Sequence, residues 1–382
     1  MEITIDRQYL QSKVDIVKAV TKHKSLLAVT RSVLIELDGE HGKISATDLE
    51  TSAITGFAGA NGDESLKIVV PAGTLSDILA SIGDQEITLI VGDGENVLKI
   101  EQGRVEIGLA LMDPEEFPDI EVLNDTEAFQ IAAKDILRGL GKVLYAVSAD
   151  DKRFILTGVL MQAKGGEFRM CATDGFRMAL LKKEVPDLPD SPQIVIPGRN
   201  IRLLREILDE NATVGVIINE AKVQFMTTQA TIIFRTLQDA YPNYESILAA
   251  TGTHNIAFAK RIPFLECLSR MAALATKNDP VKLTRTSAGG LTVRMESEKG
   301  YAQETIDCEF KSSDEFDFAF NLKYLLDAVE HIDSDQLVIR YPGAYGVVVL
   351  DSVDYVCGVM PIRTTGDWTP DRTAGQGRRR SG

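Results

Sequence analysis

The stretch EITIDRQYLQSKVDIVKAV, residues 2–20, changes its hydrophobic period partway along. Its first four residues alternate between polar and apolar side chains, which is typical of a strand with one buried face. Farther along, the apolar residues Leu10, Val14 and Val17 fall on one face of a helix. This stretch therefore predicts a strand that leads directly into an amphipathic helix.

The same strand-to-helix order returns twice more along the chain. It begins again near residues 128 and 255, so the starts lie roughly 126 residues apart. A second pattern of this kind, at residues 68–82, 194–208 and 318–332, keeps nearly the same spacing. Pro71 and Pro197 each close a strand just before a helix, where a missing N–H does no harm. A period this long exceeds that of solenoid repeats and predicts separate domains.

The repeats predict three similar domains, each with two helices and several strands. Phe117-Pro118 closes the first repeat and Tyr241-Pro242 closes the second. The last nineteen residues are rich in Gly, Pro, Thr and Arg and offer little apolar surface to bury, so we expect a disordered tail. The predicted bounds are 1–124, 125–250 and 251–363 for the domains and 364–382 for the tail.

Composition indicates an ordinary globular protein. Apolar residues make up 44% and charged residues 25% of the 382 residues. No stretch approaches the ~18 consecutive apolar residues that a membrane span needs. The N-terminus lacks the pattern of a signal peptide. We therefore expect a cytoplasmic protein without a membrane partner.

The cysteines give no sign of a disulfide framework or a zinc site. They are far apart and none forms a CxxC pair. We expect them to be small apolar residues of the core. The histidines are equally scattered, so we expect neither a metal nor another cofactor. The cysteines are Cys171, Cys267, Cys308 and Cys357.

Positive charge is concentrated in four helix-like stretches, although the whole chain carries a net charge of −15. Residues 7–24, 134–153, 199–205 and 260–277 together hold 17 Lys and Arg against 5 Asp and Glu, a net charge of +12. The remainder holds 24 against 51, a net charge of −27. A charge run is usually a solvated helix face. Because positive charge recurs on helix-like stretches of all three repeats, we favour a cationic surface. It would contact the phosphates of a nucleic acid without recognising bases.

No catalytic motif is present. The chain contains no GxxxxGK[ST], HExxH, GxSxG or GxGxxG sequence. Asp174 beside Cys171 could suggest a catalytic aspartate, but the matching stretch at Asp48 favours a structural role. The expected role is Asx-type hydrogen bonding at a turn after a strand. We therefore predict that the protein is not an enzyme.

Several motifs together resemble the bacterial DNA polymerase III beta subunit, the sliding clamp. The likeness runs in register over residues 1–363. Its most specific elements are the Ala-Thr-Asp-Gly-x-Arg and Met-Pro-x-Arg sequences. The motifs are SATDLE at 45–50, LTGVL at 156–160, ATDGFRM at 172–178, YPNY at 241–244 and VMPIR at 359–363.

The resemblance implies an α+β fold, the DNA clamp fold. It has three similar domains, each with two helices backed by antiparallel sheets, and two chains close into a ring-shaped homodimer. The implied function is that of a processivity factor, which encircles double-stranded DNA irrespective of sequence. Such a clamp tethers the replicative polymerase and other partners. DNA polymerase subunits and the clamp loader would bind through short linear peptides.

The resemblance also assigns roles to individual residues. An apolar pocket between the second and third domains would hold partner peptides, and its residues are Leu156, Thr173, Gly175, Phe176, Arg177, Met178, Pro242, Ile247, Val347, Val359, Met360, Pro361 and Ile362. Leu156 and Val347 could instead be core residues. The implied DNA contacts are Lys24, Arg153, Phe154, Arg199, Arg202 and Arg205. The implied dimer contacts are Arg104 and Ile107 on one side and Ala273 and Leu274 on the other.

Three features depart from the family pattern. Asp150 replaces an uncharged residue in a loop that would approach DNA. Ser246 stands where a cation is common at the pocket rim. The tail starts beside the pocket, so we expect it to compete with partner peptides.

Two other functions stay open on the sequence. A clamp-like scaffold could bind proteins without retaining DNA, and reversal of the charges of Arg199, Arg202 and Arg205 would separate it from a clamp. An enzyme could use the Asp174 region. In that case Asp174→Asn would abolish turnover without loss of stability.

Overall fold

The chain forms two compact units in the computed structural model. The described residues are 2–22, 27–39, 41–58, 65–83, 85–92, 96–124, 128–276, 279–343, 346–365 and 369–370. The first unit comprises residues 1–138, 163–165 and 187–238, and the second comprises residues 139–162, 166–186 and 239–382. The middle of the chain contributes to both units, and the three predicted domain bounds stay a prediction. The predicted disorder of the tail at 364–382 also stays a prediction, because residues 366–368 and 371–382 lie outside the described residues.

The helices begin where the hydrophobic period changes. Among the described residues they are α1 Arg7–Lys18, α2 Ala72–Ser81, α3 Ala133–Val143, α4 Gly198–Ile201, α5 Leu204–Ile207, α6 Tyr244–Ala250, α7 Arg261–Leu274 and α8 Leu322–Glu330.

The strands hold more of the described residues than the helices do. They are β1 Glu2–Asp6, β2 Ser32–Asp38, β3 His41–Thr47, β4 Thr51–Ala58, β5 Leu66–Pro71, β6 Glu86–Val91, β7 Val97–Gln102, β8 Val105–Ala110, β9 Phe129–Ala132, β10 Gly158–Lys164, β11 Glu167–Thr173, β12 Arg177–Glu184, β13 Ile194–Pro197, β14 Thr213–Ile218, β15 Lys222–Met226, β16 Thr231–Arg235, β17 Ile256–Lys260, β18 Pro280–Arg285, β19 Leu291–Ser297, β20 Gly300–Ile306, β21 Cys308–Phe310, β22 Asp317–Asn321, β23 Gln336–Arg340, β24 Val348–Asp351, β25 Tyr355–Val359, β26 Thr364–Thr365 and β27 Thr369–Pro370.

The first unit contains two antiparallel sheets. The larger has the strand order β5-β2-β3-β4-β16-β15-β14-β9, and the smaller has the order β1-β6-β7-β8. Strand β4 pairs with β16, with Thr51 opposite Phe234, so strands from distant parts of the sequence become neighbours. The apolar stripe of α1 is fully buried at Leu10, Val14 and Val17, and α1 packs against α2.

The second unit is built in the same way. One sheet has the order β20-β19-β18-β22, and the other contains β10-β11-β12-β25-β24-β23-β17-β21. Strand β12 pairs with β25, with Arg177 opposite Val359. Helices α7 and α8 pack against each other, and their buried faces include Phe264, Leu268 and Leu325.

Side-chain caps fix the points at which strands become helices. The Asp6 carboxylate accepts a hydrogen bond from the Tyr9 amide at 2.7 Å, and the Asn321 side chain accepts one from the Tyr324 amide at 3.2 Å. Each cap satisfies an N–H that has no partner within its own helix. The predicted strand-to-helix transitions at residues 2–20, 128–144 and 255–272 are confirmed.

Two details differ from the sequence prediction. The helix expected near residues 199–208 is interrupted between α4 and α5. There the Leu203 amide donates to the Asn200 carbonyl and the Arg205 amide to the Arg202 carbonyl, so bonds of 3₁₀ type tighten the backbone. Helix α6 was not predicted. It is capped by Asn243, whose side chain accepts from the Ser246 amide at 3.0 Å.

The cysteines are buried and free, as predicted. Burial raises the pKa of the Cys357 thiol to about 12. No set of three or more His, Cys, Asp or Glu side chains suited to a metal occurs in the described part of the chain. None of the helices that the structure describes is long and apolar enough to cross a membrane.

Candidate partner-peptide pocket and DNA-contact residues

A tight turn after β11 builds one wall of the candidate pocket. The Thr173 hydroxyl accepts from the Gly175 amide at 3.0 Å and donates to the Arg177 carbonyl at 2.7 Å. One oxygen of the Asp174 carboxylate accepts from the amides of Phe176, at 2.9 Å, and Arg177, at 3.0 Å. Gly175 has φ +87°, a left-handed conformation that suits glycine. The turn leaves the Phe176 side chain 52% exposed.

The first unit repeats this turn. Asp48 accepts from the amides of Glu50, at 3.0 Å, and Thr51, at 2.6 Å, while the Thr47 hydroxyl donates to the Thr51 carbonyl at 3.2 Å. Asp48 and Asp174 therefore both make Asx-type hydrogen bonds at a turn after a strand, as predicted. The Asp174 carboxylate, which an enzyme would need for proton transfer, is thus engaged in structural hydrogen bonds.

Arg177 holds the turn against the rest of the second unit. Its guanidinium contacts Asp174 Oδ2 at 3.0 Å and Asp327 Oδ2 at 2.5 Å. It also lies 4.4 Å from the ring centroid of Tyr324 and 5.2 Å from that of Tyr145. Paired and stacked in this way, the buried charge is compensated. No local sequence pattern indicated Asp327, Tyr324 or Tyr145 as partners of Arg177, because they come from distant segments.

A cavity of about 170 Å³ opens beside the turn. Nine of the thirteen predicted pocket residues line it. Its exposed apolar groups include Ile247 and Met360, which are 38% and 39% accessible. The Met360 amide donates to the Phe176 carbonyl at 2.8 Å, so the segment after β25 continues alongside the turn. The lining residues are Thr173, Gly175, Phe176, Arg177, Met178, Pro242, Ile247, Val347, Gly358 and Met360.

Gly358 is a lining residue that was not predicted. A Cβ atom at this position would lie 2.7 Å from Val347 Cγ1, so the strand admits only glycine without a shift. A glycine inside a strand pattern commonly marks such a close approach, and this signal could have identified it.

Four predicted pocket residues do not line the cavity. Leu156 and Val359 are buried. Pro361 and Ile362 are half-buried, and the Ile362 amide donates to the Ala319 carbonyl at 2.7 Å. Leu156 is therefore a core residue, which was the alternative considered for it. Val347, for which the same alternative was considered, lines the cavity.

The candidate DNA-contact residues fall into two groups. Arg153 and Phe154 are exposed in the second unit, on a 3₁₀ segment at Asp151–Thr157. The Arg153 guanidinium lies 5.3 Å from the Phe176 ring centroid, which places it at the rim of the cavity. Lys24 lies outside the described residues.

The other group, Arg199, Arg202 and Arg205, is in the first unit. All three side chains are exposed, and Arg199 contacts Glu50 Oε2 at 2.6 Å. Arg199 and Arg202 line a cavity of about 100 Å³ together with Ala19 and Val20, just beyond the end of α1. The structure thus brings two of the four predicted cationic stretches together within this unit.

The candidate dimer contacts lie at sheet edges or beside them. Arg104 is exposed in the turn before β8, and Ile107 is half-buried in β8, an edge strand of its sheet. Ala273 and Leu274 end α7, which packs against β20. Strand β20 is also an edge strand.

Models of one protein family match three consecutive parts of the chain. The N-terminal, central and C-terminal domain models of the DNA polymerase III beta subunit match residues 1–121, 130–243 and 248–359 respectively. The beta sliding clamp of Pseudomonas aeruginosa is 26% identical over 370 residues, which cover 95% of this chain and 100% of the relative. That of Staphylococcus aureus is 26% identical over 387 residues, with the same coverage.

Solved structures of sliding clamps share the fold. The DNA polymerase III beta subunit of P. aeruginosa superposes with a TM-score of 0.87 at 26% identity, over 95% of this chain and 100% of that one. The sliding clamp of Bacillus subtilis gives a TM-score of 0.86 at 25% identity, over 96% of this chain and 100% of that one. The predicted α+β clamp fold is confirmed. Since the family models together match most of its length, the chain belongs to the DNA polymerase III beta subunit family, the sliding clamps that act as non-catalytic processivity factors in DNA replication.

Proposed function

We propose that this protein closes as a homodimeric ring around double-stranded DNA and tethers DNA polymerase subunits and the clamp loader through short linear peptides. In this mechanism the protein catalyses nothing. Linkage prevents escape from DNA, and loose cationic contacts permit sliding. The ring raises the local concentration of bound enzymes at DNA. We place the protein in the cytoplasm, where such partners act on the chromosome.

The observation that carries the peptide proposal is the cavity beside Phe176. It combines exposed apolar side chains with a fixed turn, so a peptide could bury apolar anchors without rearranging the backbone. Preformed sites of this kind lose little free energy to ordering when they bind. A short peptide with a few apolar anchors fits this chemistry better than a charged ligand does.

Peptide binding can be tested with a fluorescent peptide from the replicative polymerase of the same cell. Ile247→Asp should weaken binding by at least about tenfold, equivalent to ~1.4 kcal/mol, because a carboxylate would be desolvated by the bound anchor. Val353→Asp is the matched control, since Val353 is fully exposed in the second unit and does not line the cavity. Equal binding by both variants would reject the cavity as the peptide site.

Support for DNA contact comes from the cationic side chains of the first unit. Arg202 and Arg205 are exposed three residues apart. Charge reversal at both should weaken retention on DNA and reduce its salt dependence. Arg294→Glu with Lys311→Glu changes the charge equally at exposed positions of the second unit and serves as the control. If both double variants lose DNA equally, only total charge matters and these arginines have no special role.

The topological mechanism has its own test. The protein is loaded with a clamp loader onto nicked circular DNA, half of the sample is linearised, and both halves are gel-filtered in moderate salt. Retention on circles with loss from linear DNA is expected. Equal loss from both would favour the scaffold that binds proteins without retaining DNA, and equal retention would indicate ordinary backbone binding.

Strand β8, which is an edge strand among the described residues, supports the homodimer. Pairing of β8 of one chain with an edge strand of a second chain would satisfy exposed backbone N–H and C=O groups. Arg104, Ile107, Ala273 and Leu274 are the proposed contacts. Ile107→Asp should shift the dimer toward monomer in analytical ultracentrifugation. An unchanged dimer would show that these residues are not the interface.

A further inference from the structure

The first unit contains a second cavity that is built like the candidate peptide pocket. Its volume is about 230 Å³. It lies beside the turn at Asp48, which has the same hydrogen bonds as the turn at Asp174. Its lining includes Glu50, Ser52, Glu121, Lys222 and Arg235.

The strand registers match the turn and strand positions of the two cavities one to one. Thr51 pairs with Phe234 in the first unit, as Arg177 pairs with Val359 in the second. One residue farther on, the Arg235 amide donates to the Glu50 carbonyl at 2.8 Å, just as the Met360 amide donates to the Phe176 carbonyl at 2.8 Å. Arg235 therefore corresponds to Met360, and Glu50 corresponds to Phe176.

The neighbouring strands extend this equivalence. Lys222 pairs with Arg235, and Val348 pairs with Val359, so Lys222 corresponds to Val347. Four apolar lining residues of the second unit thus have polar or charged counterparts in the first. Phe176, Met178, Val347 and Met360 are replaced by Glu50, Ser52, Lys222 and Arg235 respectively.

Two of the charged counterparts, Glu50 and Lys222, are held in place by ion pairs. Glu50 contacts Arg199 at 2.6 Å, and Lys222 contacts Glu121 at 2.5 Å. The hydrogen bond from Lys222 lowers the pKa of Glu121, which favours the charged carboxylate. An apolar anchor that entered here would remove water from these charged groups and would offer no hydrogen bonds in its place. Because this cavity is no smaller than the other, its chemistry and not its size would exclude the anchor.

Resting on the proposed peptide function, we infer that Glu50, Ser52, Lys222 and Arg235 are specificity determinants that close the first-unit cavity to apolar partner peptides. Each chain then takes one such peptide, although it contains two cavities whose turn and strand positions correspond. The exclusion works by unfavourable contacts, which is a common means of achieving specificity.

Peptide stoichiometry, measured by isothermal titration calorimetry with the polymerase peptide, tests this inference. The wild-type chain should bind one peptide. The variant Glu50→Phe, Ser52→Met, Lys222→Val and Arg235→Met should bind two, with the new site within about tenfold of the first in Kd. In an Ile247→Asp background, the same four changes should restore a stoichiometry of one.

The outcomes separate this inference from the proposed function. No binding by the wild-type chain would contradict the peptide function itself. Two peptides on the wild-type chain, or one on a fully folded fourfold variant, would overturn the inference alone. Should the fourfold variant fail to fold, the reverse exchange Val347→Lys with Met360→Arg decides. It should abolish binding, and binding within about twofold of the wild type would overturn the inference.

Discussion

At the residue scale, Asp174 is a structural carboxylate. It accepts two backbone amides and the Arg177 guanidinium, so its removal leaves three buried or partly buried donors unsatisfied. Asp174→Ala should lower the free energy of unfolding by about 2–4 kcal/mol. Urea denaturation would measure the loss.

Asp174→Asn separates this role from catalysis. The amide oxygen can still accept the backbone bonds, so most of the stability should return. A variant that retains full stability but loses a specific turnover would instead support an enzyme. Asp48→Ala should show a loss of the same sign, because Asp48 accepts the equivalent bonds in the first unit.

Gly358 gives a second prediction at this scale. A Cβ at this position would approach Val347 Cγ1 to 2.7 Å, so Gly358→Ala should cost about 1–3 kcal/mol through overpacking and should also weaken peptide binding. Gly56→Ala is the control, since the nearest atom lies 3.9 Å from its Cβ position in strand β4. Equal thermal stability of the two variants would show that the Val347 contact imposes no constraint.

At the element scale, the caps define where strands end and helices begin. Asp6→Ala removes the acceptor for the Tyr9 amide and should lower the free energy of unfolding by about 1 kcal/mol. Asp6→Asn keeps an acceptor and should lose less. Chemical denaturation of both variants checks the order, and an equal loss would assign the effect to charge near the helix N-terminus and not to capping.

At the scale of the whole molecule, the two units differ in the groups that ionise at alkaline pH. All four cysteines and eight of the nine tyrosines lie in the second unit, and the first contains only Tyr9. Burial raises the pKa of Tyr145, Tyr241 and Tyr355 well above the ordinary phenol value. It raises the pKa of Cys171 as well.

The second unit should therefore lose stability first as pH rises. In the unfolded chain, thiols ionise near pH 8.5 and phenols near pH 10, whereas the buried groups stay protonated. Their contribution is complete below about pH 8.5 and falls as pH rises toward the raised pKa values, by about 1.4 kcal/mol per pH unit for each group.

Limited proteolysis at pH 7.5 and pH 10.5 can locate this loss. New cleavages at the higher pH should map to residues 139–162, 166–186 and 239–382. Tyr145→Phe removes one ionisable phenol and should reduce the pH dependence of thermal stability. Cleavage that increases equally in both units would contradict the prediction.

Local sequence patterns were sufficient to predict most of the secondary structure that positions the turns. Hydrophobic periods located the strand-to-helix transitions, and the threefold spacing indicated similar domains. The Thr-Asp turns were also predictable, because their hydrogen bonds join residues two or three positions apart. The interruption between α4 and α5 was not, since it depends on how the backbone tightens in its packed environment.

The surroundings of each turn depend on long-range strand pairing and could not be predicted locally. Pairing of β4 with β16 and of β12 with β25 joins segments that are more than a hundred residues apart. Resemblance to a family grouped most of the pocket residues, but not Gly358 or the partners that hold Arg177. Two nearly identical turns become a charged cavity and an apolar one because strand pairing, which no local pattern encodes, supplies Lys222 and Arg235 to one and Val347 and Met360 to the other.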